Sequence, residues 1–504
     1  MKYLIGMDNG GTFSKAAIFD ENGTQIAVGS IATETLTPKP GYTERDMDAL
    51  WKANTDAIRM AIEKSRIDPK DIAGVSFSGH GKGLYPVGKD GRPAYNGIIS
   101  TDARAWAYPK KWNEDGTAKA IYPKTFQEIL YMQPVCLLAW MKDHEPEVYN
   151  NIKYVFSVND YVRYCMTGAA NMDYTIASGG NLVNMAAGGF DRELMEAFGI
   201  PEVYDMLSPL KYPAEICGTV TAEAAAQTLI PEGTPVAAGM FDVDACGIAS
   251  GLSDEDKMCM IAGTWSINEF IAKEPVLNGT VALNSMFCIP GYYLVEESSP
   301  TSAGNMEWFI RNLMSYEKDE AKANGGSVYD LTNKWVAEIE PQDCNVVFLP
   351  FLNGSNEDAL AKGTFVGLTA YHKKSHMLRA VYEGIVFSHI THVKKLLKNH
   401  EIPASIRLSG GAANSDVWVQ IFADALQIPI DVIEDKEIGA QGAAIAAGIA
   451  AGIYADYQDA IARTVHITKT IAPRPEYREI YEKKYETYRR VIDGLSSAWA
   501  CFEN

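Results

Sequence analysis

The chain has 504 residues, 47% hydrophobic and 22% charged, the composition of an ordinary globular protein with room for two or three domains. A chain of this length buries about three quarters of its unfolded surface and needs no disulfide or metal staple. Its net charge of -19 argues against nucleic acid or an anionic membrane as partner, yet leaves room for a phosphate ligand held by backbone amides and Mg2+.

Taken in order, residues 3–7 are apolar, 8–12 (DNGGT) form a glycine-rich turn, 15–19 are apolar, 20–23 turn again and 24–29 return. This predicts a β-meander whose first turn carries an acid and two glycines. Residues 46–64 have helical periodicity with Asp46 as N-cap, and 72–78 read as a strand running into the glycine-rich GHGKG of 79–83. Strand and helix signals then alternate, which places the chain in the α/β class.

An apolar strand ends at Asp242, and a helix of small residues follows. A carboxylate there can accept the proton of an attacking hydroxyl or cap the helix, and Asp244 competes for either task. Residues 257–272 (KMCMIAGTWSINEFIA) echo the opening hairpin, which suggests two related domains, the second starting near 250. Further on, 405–409 form a strand leading into Gly410 and Gly411, and a helix over 416–426 is capped by Ser415 or Asp416. Residues 439–448 make a small-residue helix suited to close packing. Tyr481, Tyr485 and Tyr488 form a docking stripe on the terminal helix. Eight scattered cysteines lack CxxC pairing or a His partner at metal spacing and read as free thiols of a reducing compartment. With no ~20-residue apolar run and no cleavable signal at the start, a cytoplasmic protein is expected.

Neither a GxxxxGK[ST] loop nor a DFG or HRD set is present, so the two commonest ATP sites are missing. Instead, three glycine-rich strand ends occur: Asp8 to Thr12 with Gly10 and Gly11, Gly263 with Thr264, and Gly410 with Gly411. Glycine at a strand end lets backbone N–H groups approach phosphate oxygens, and a following helix N-terminus adds positive potential. With Asp8 placed to hold Mg2+ through water, and Thr12 and Lys15 beside it, they describe a split nucleotide site.

Along its whole length the chain resembles the FGGY carbohydrate kinases of the actin/hexokinase-like ATPase superfamily. The likeness runs through 8–15, GYTERD at 41–46, TDAR at 101–104, 173–178, GMFD at 239–242, Gly263 and Thr264, AGNMEW at 303–308, and SGGA at 409–412. It implies two ribonuclease-H-like domains, 1–250 on the sugar side and 251–504 on the nucleotide side, with a cleft between them. It assigns the catalytic base to Asp242 and the metal and phosphate role to Asp8. Nucleotide contacts fall on Gly10, Gly11, Thr12, Lys15, Gly263, Thr264, Gly304, Gly410, Gly411, Asn414 and Ser415. Sugar contacts fall on Asp102, Arg104, Phe241 and Asp242, while Gly81-Lys82 departs from the Arg-Glu of glycerol kinases and the Met-His of D-xylulose kinases, so Lys82 is a sugar-binding candidate from its own loop and not one the resemblance carries over. ATP and Mg2+ are the implied cosubstrate and metal, and a homodimer is the base-rate assembly.

Within the family, GHGKGL at 79–84, ESSPTS at 297–302 and YEGIVFSH at 382–389 resemble the L-xylulose kinase branch. The expected reaction is therefore phosphorylation of a pentulose such as L-xylulose, with D-xylulose, D-ribulose or an alditol such as erythritol as alternatives. An actin-like ATPase is the non-kinase reading.

Overall fold

The computed structural model describes residues 1–263, 265–358, 360–434 and 437–502. The chain forms two compact units, neither of them one continuous segment. The first comprises 1–253, 271–295 and 436–465, and the second 254–270, 296–435 and 466–504.

In the first unit the meander is present as strands Tyr3–Asn9, Phe13–Asp20 and Gln25–Ala32. Tyr3–Asn9 pairs antiparallel with Phe13–Asp20 and parallel with Ile72–Gly79, which pairs parallel with Pro235–Ala237. The helix Met47–Ser65 is capped by Asp46, whose carboxylate accepts the Ala49 N–H at 2.8 Å.

The second unit repeats this order. Met258–Ala262 pairs antiparallel with Ser266–Ala272 and parallel with Ile406–Ser409, which runs parallel to Ile430–Ile433. The hairpin echo in the sequence thus marks a repeated supersecondary unit with a hairpin first and two parallel strands after it. Both sheets are of the ribonuclease-H-like type. The tyrosine stripe docks as expected: Tyr481 and Tyr488, both buried, pack with Tyr485 around Phe387 of the long helix Lys374–Leu396.

The helix Ile438–Ala450, late in the chain, belongs to the first unit and presses on its strands backbone to backbone. Its small residues make this possible only because the strands supply glycines. A Cβ on Gly6 would fall 1.7 Å from the Ala440 carbonyl oxygen, and one on Gly74 would fall 3.0 Å from that of Ala447.

Gly6→Ala should therefore force helix and sheet apart and destabilise the first unit by about 3 kcal/mol, the upper end of ordinary overpacking. Gly494→Ala is the control. Gly494 lies exposed in the helix Arg478–Trp499 with open space around its α-carbon, so the change should stabilise by up to about 1 kcal/mol through helix propensity. Urea denaturation of both variants checks the pair, and equal effects would contradict the packing.

Candidate active site

In open α/β sheets, ligands bind outside the carboxyl ends of parallel strands, and the first unit gathers its chemistry there. Asp8 lies opposite Ser78, Asn9 opposite Gly79, and the short strand Met240–Phe241 pairs with Ser78 and Gly79. Asp8, the 79–83 loop and Asp242 consequently emerge along one edge.

The turn after Asp8 is held from beneath by Arg45. This buried guanidinium donates to the Gly10 carbonyl at 3.2 Å and the Gly11 carbonyl at 2.6 Å, while Gly11 and Thr12 stay exposed at the tip. Asp8 accepts the Ser78 hydroxyl at 3.2 Å, and a Cβ on Gly439, at the start of the helix Ile438–Ala450, would sit 3.1 Å from its carboxyl group. Burial raises the Asp8 carboxyl above its usual range; Lys15 and the Ser78 hydroxyl oppose the rise, and Glu437 adds to it. Lys15, opposite Asp8 in the hairpin, pairs with Glu437 at 2.7 Å.

Next along the edge, Lys82 donates to the Gly179 carbonyl at 2.8 Å and lies 5.0 Å from the centre of the Phe241 ring. Gly81 makes the approach possible, since a Cβ there would fall 2.3 Å from that ring. His80 fixes the loop from inside: Nδ1 donates to the Lys82 carbonyl at 2.6 Å, so Nε2 accepts from the Tyr85 hydroxyl at 2.9 Å. Burial, reinforced by the Arg45 charge, lowers His80 to about 4, which keeps the ring neutral.

The two competing aspartates separate clearly. Asp242 is half-buried and is the first residue of the helix Asp242–Ala249, with Phe241 at the cap position and no side-chain cap bond. Asp244 is fully buried and accepts the Cys288 N–H at 2.8 Å. Asp102 and Arg104 form a buried pair. Arg104 donates to both Asp102 oxygens and to Glu44, Thr43 N–H donates to Asp102, and the guanidinium lies 4.3 Å from the Tyr42 ring. Asp102 thus turns its carboxylate to Arg104 and Thr43, not to Lys82.

The second unit brings two glycine ends side by side. Ile261 lies opposite Ser409 in neighbouring parallel strands, and Gly410, at φ +86°, passes so close that a Cβ would meet the Ala262 carbonyl carbon at 2.8 Å. Thr264 lies outside the described residues. Beyond Gly411, a single turn through Asn414, which is exposed, reaches Ser415. Ser415 caps the helix Asp416–Leu426 and donates to Asn333 at 2.6 Å. Gly304 opens the helix Gly304–Leu313.

Behind these loops stands His389. Its Nε2 meets the Ser302 hydroxyl at 2.9 Å, and its Nδ1 meets Asn268 at 2.8 Å and Ser266 at 3.1 Å. It bridges the residues two positions after Thr264 and two positions before Gly304.

Arg45, Glu437, Asn333 and His389 escape a reading of the sequence. Arg45 stands inside the GYTERD stretch and could have been found there. The others act across 82 to 422 residues; His389 closes the YEGIVFSH stretch, but nothing local there tells which residues it meets.

Burial lowers His389 to about 3, so each unit carries a neutral, buried histidine well below the ordinary 6.5. Stability is intact above pH 6.5. It falls on acidification because the unfolded chain takes up protons that the folded chain does not, by up to about 1.4 kcal/mol per pH unit per histidine. Urea midpoints between pH 7 and 4.5 should show this slope, and His389→Asn should flatten it for the second unit. An unchanged slope would contradict a neutral His389.

Comparison with known proteins meets this geometry from the other side. The model for the FGGY family of carbohydrate kinases, N-terminal domain, matches residues 3–248, and that for the C-terminal domain matches 258–451. The L-xylulose/3-keto-L-gulonate kinase of Escherichia coli is 36% identical, the match covering 98% of this chain and 97% of the relative. A probable L-xylulose kinase of Pasteurella multocida is 34% identical over 99% of this chain and all of its own. Among solved structures, a ligand-bound xylulose kinase from Lactobacillus acidophilus superposes with a TM-score of 0.89 at 26% identity, covering the whole of both chains. Both halves of the chain are accounted for by one family, in the order the repeated sheets require, and the protein belongs to the FGGY carbohydrate kinases.

Proposed function

We propose that the enzyme transfers the γ-phosphoryl group of ATP to a hydroxyl of a pentulose such as L-xylulose, with Asp242 as general base. The observation that carries this reading is the contrast between the two aspartates. Asp242 is half-buried at a strand end next to Phe241, whose ring faces Lys82, whereas Asp244 is sealed in the interior. The substrate hydroxyl oxygen would bond to the γ-phosphorus while its proton passes to the Asp242 carboxylate, and the bond to the β-phosphate oxygen would break to release ADP. The names of the relatives favour L-xylulose over D-xylulose, D-ribulose or erythritol.

Gly10, Gly11, Thr12 and Lys15 would meet phosphate from the first unit. Gly263, Thr264, Gly304, Gly410, Gly411, Asn414 and Ser415 would meet the nucleotide from the second. Asp8 fits Mg2+, which is usually held by one or two carboxylates, with water and phosphate completing its shell. Burial holds the Asp8 carboxyl above its usual range, so a cation beside it would favour the charged form. Bound there, Mg2+ would neutralise charge on the phosphate oxygens. Asp102 and Arg104 would act through the wall that they form with Glu44 and Tyr42. Eight free thiols accord with a cytoplasmic enzyme.

A keto acid is the second substrate reading. The Escherichia coli relative is named for 3-keto-L-gulonate as well as L-xylulose, and the Lys82 ammonium beside the Phe241 ring suits a carboxylate.

Asp242→Asn should lower kcat by roughly 10²–10⁴-fold with nucleotide affinity nearly intact. Asp244→Asn should lower stability and leave most of kcat. The reverse order in a coupled assay would overturn the assignment. Lys82→Met keeps the aliphatic stem and deletes the donors. It should reduce kcat/KM for the preferred sugar by about 1.5–3 kcal/mol and barely move KM for ATP. If the loss is larger for a 3-keto acid than for L-xylulose across a substrate panel, the acid is the better substrate class. No loss for any sugar would remove Lys82 from the site.

A further inference from the structure

The backbone that delivers Asp242 is gripped at three points by side chains from one stretch, 159–175. The Asn159 amide donates to the Met240 carbonyl at 2.8 Å, and Arg163 donates to the Ala238 carbonyl. The Phe241 N–H donates to the Thr175 hydroxyl oxygen at 2.8 Å. All three side chains are fully buried.

Behind them lies a closed relay. The Thr175 hydroxyl donates to Asp173 at 3.0 Å, the Asp173 N–H donates to Asp160 at 2.8 Å, and Arg163 donates to the same Asp160 oxygen at 2.8 Å. A hydroxyl has one proton and two lone pairs, so Thr175, having given its proton to Asp173, presents a lone pair to Phe241. Burial and the neighbouring Asp160 charge push the Asp173 carboxyl upward.

We infer that Thr175 is a positioning residue for the reaction: its hydroxyl, anchored on Asp173, fixes the Phe241 amide and so sets where the Asp242 carboxylate stands. The inference rests on Asp242 being the base. The same anchor serves Phe241, whose ring packs on Gly81 and lies beside Lys82, so a single bond couples the base to the sugar-facing wall. A general base must lie within hydrogen-bond reach of the proton it takes, and a displacement of an ångström can lose two orders of magnitude in rate.

The test is a double-mutant cycle. Thr175→Val keeps the shape and deletes the hydroxyl, and it should lower kcat about 10- to 100-fold with KM for ATP unchanged. Thr175→Ser restores the acceptor and should recover most of kcat. In an Asp242→Asn background, Thr175→Val should lower kcat by no more than about 2-fold further, because its partner in catalysis is already gone. Equal losses in both backgrounds, or a serine variant as slow as the valine one, would reduce Thr175 to a packing residue and overturn the inference. If Asp242→Asn itself retains most of kcat, the assignment of the base fails instead, and the two failures are thereby distinguished. Should Thr175→Val not fold, Asn159→Ala, which frees the Met240 carbonyl, is run through the same cycle with the same expected non-additivity.

Discussion

Everything at the first unit's strand edge depends on one contact, the packing of the Gly/Ala-rich helix Ile438–Ala450 on Tyr3–Asn9 and Ile72–Gly79. Because Gly6 and Gly74 give no side chain to that face, helix and sheet meet through backbone atoms. Packed interiors tolerate little free volume, so the height of the helix above the sheet is fixed. That height brings Gly439 against Asp8 and Glu437 to Lys15. A helix start carries partial positive charge, and here it lies against the Asp8 carboxyl group.

Buried arginines are the second device, and they serve the main chain. Arg45 gathers the carbonyls of Gly10 and Gly11, Arg163 those of Asn171 and Ala238, and Arg104 grips the aspartate that holds the Thr43 amide. An interior guanidinium is unfavourable unless acceptors surround it. Its fixed fork of donors then dictates where those acceptors stand. Glycine-rich loops have few side chains of their own to lock them, and a cation beneath supplies the rigidity that glycine lacks.

The parts of this molecule legible in the sequence were those with local signatures. The meander, the Asp46-capped helix, the Ser415-capped helix and the small-residue helix each announce themselves within about thirty residues. The rank of Asp242 over Asp244 did not follow from pattern, since both stand in the first turn of one helix. Only the fold shows which of them the Cys288 amide draws inward. Asp102 and Arg104 were legible as a motif, but not as a saturated pair enclosed by Glu44, Thr43 and aromatic rings. Segments 271–295 and 436–465 illustrate the limit. Periodicity identifies a helix at 439–448, but it carries no information about which unit that helix completes.

That last feature has a bearing on biosynthesis. The strands of the first unit leave the ribosome early, but the helix that covers their inner face is encoded about 200 residues after the unit's main segment ends. At 5–20 residues per second, the glycine-lined face waits roughly 10–40 s for its partner. During that interval the second unit's own strands emerge with a matching order, a hairpin and then parallel strands. A nascent chain of this design can complete its first unit only when the late helix arrives.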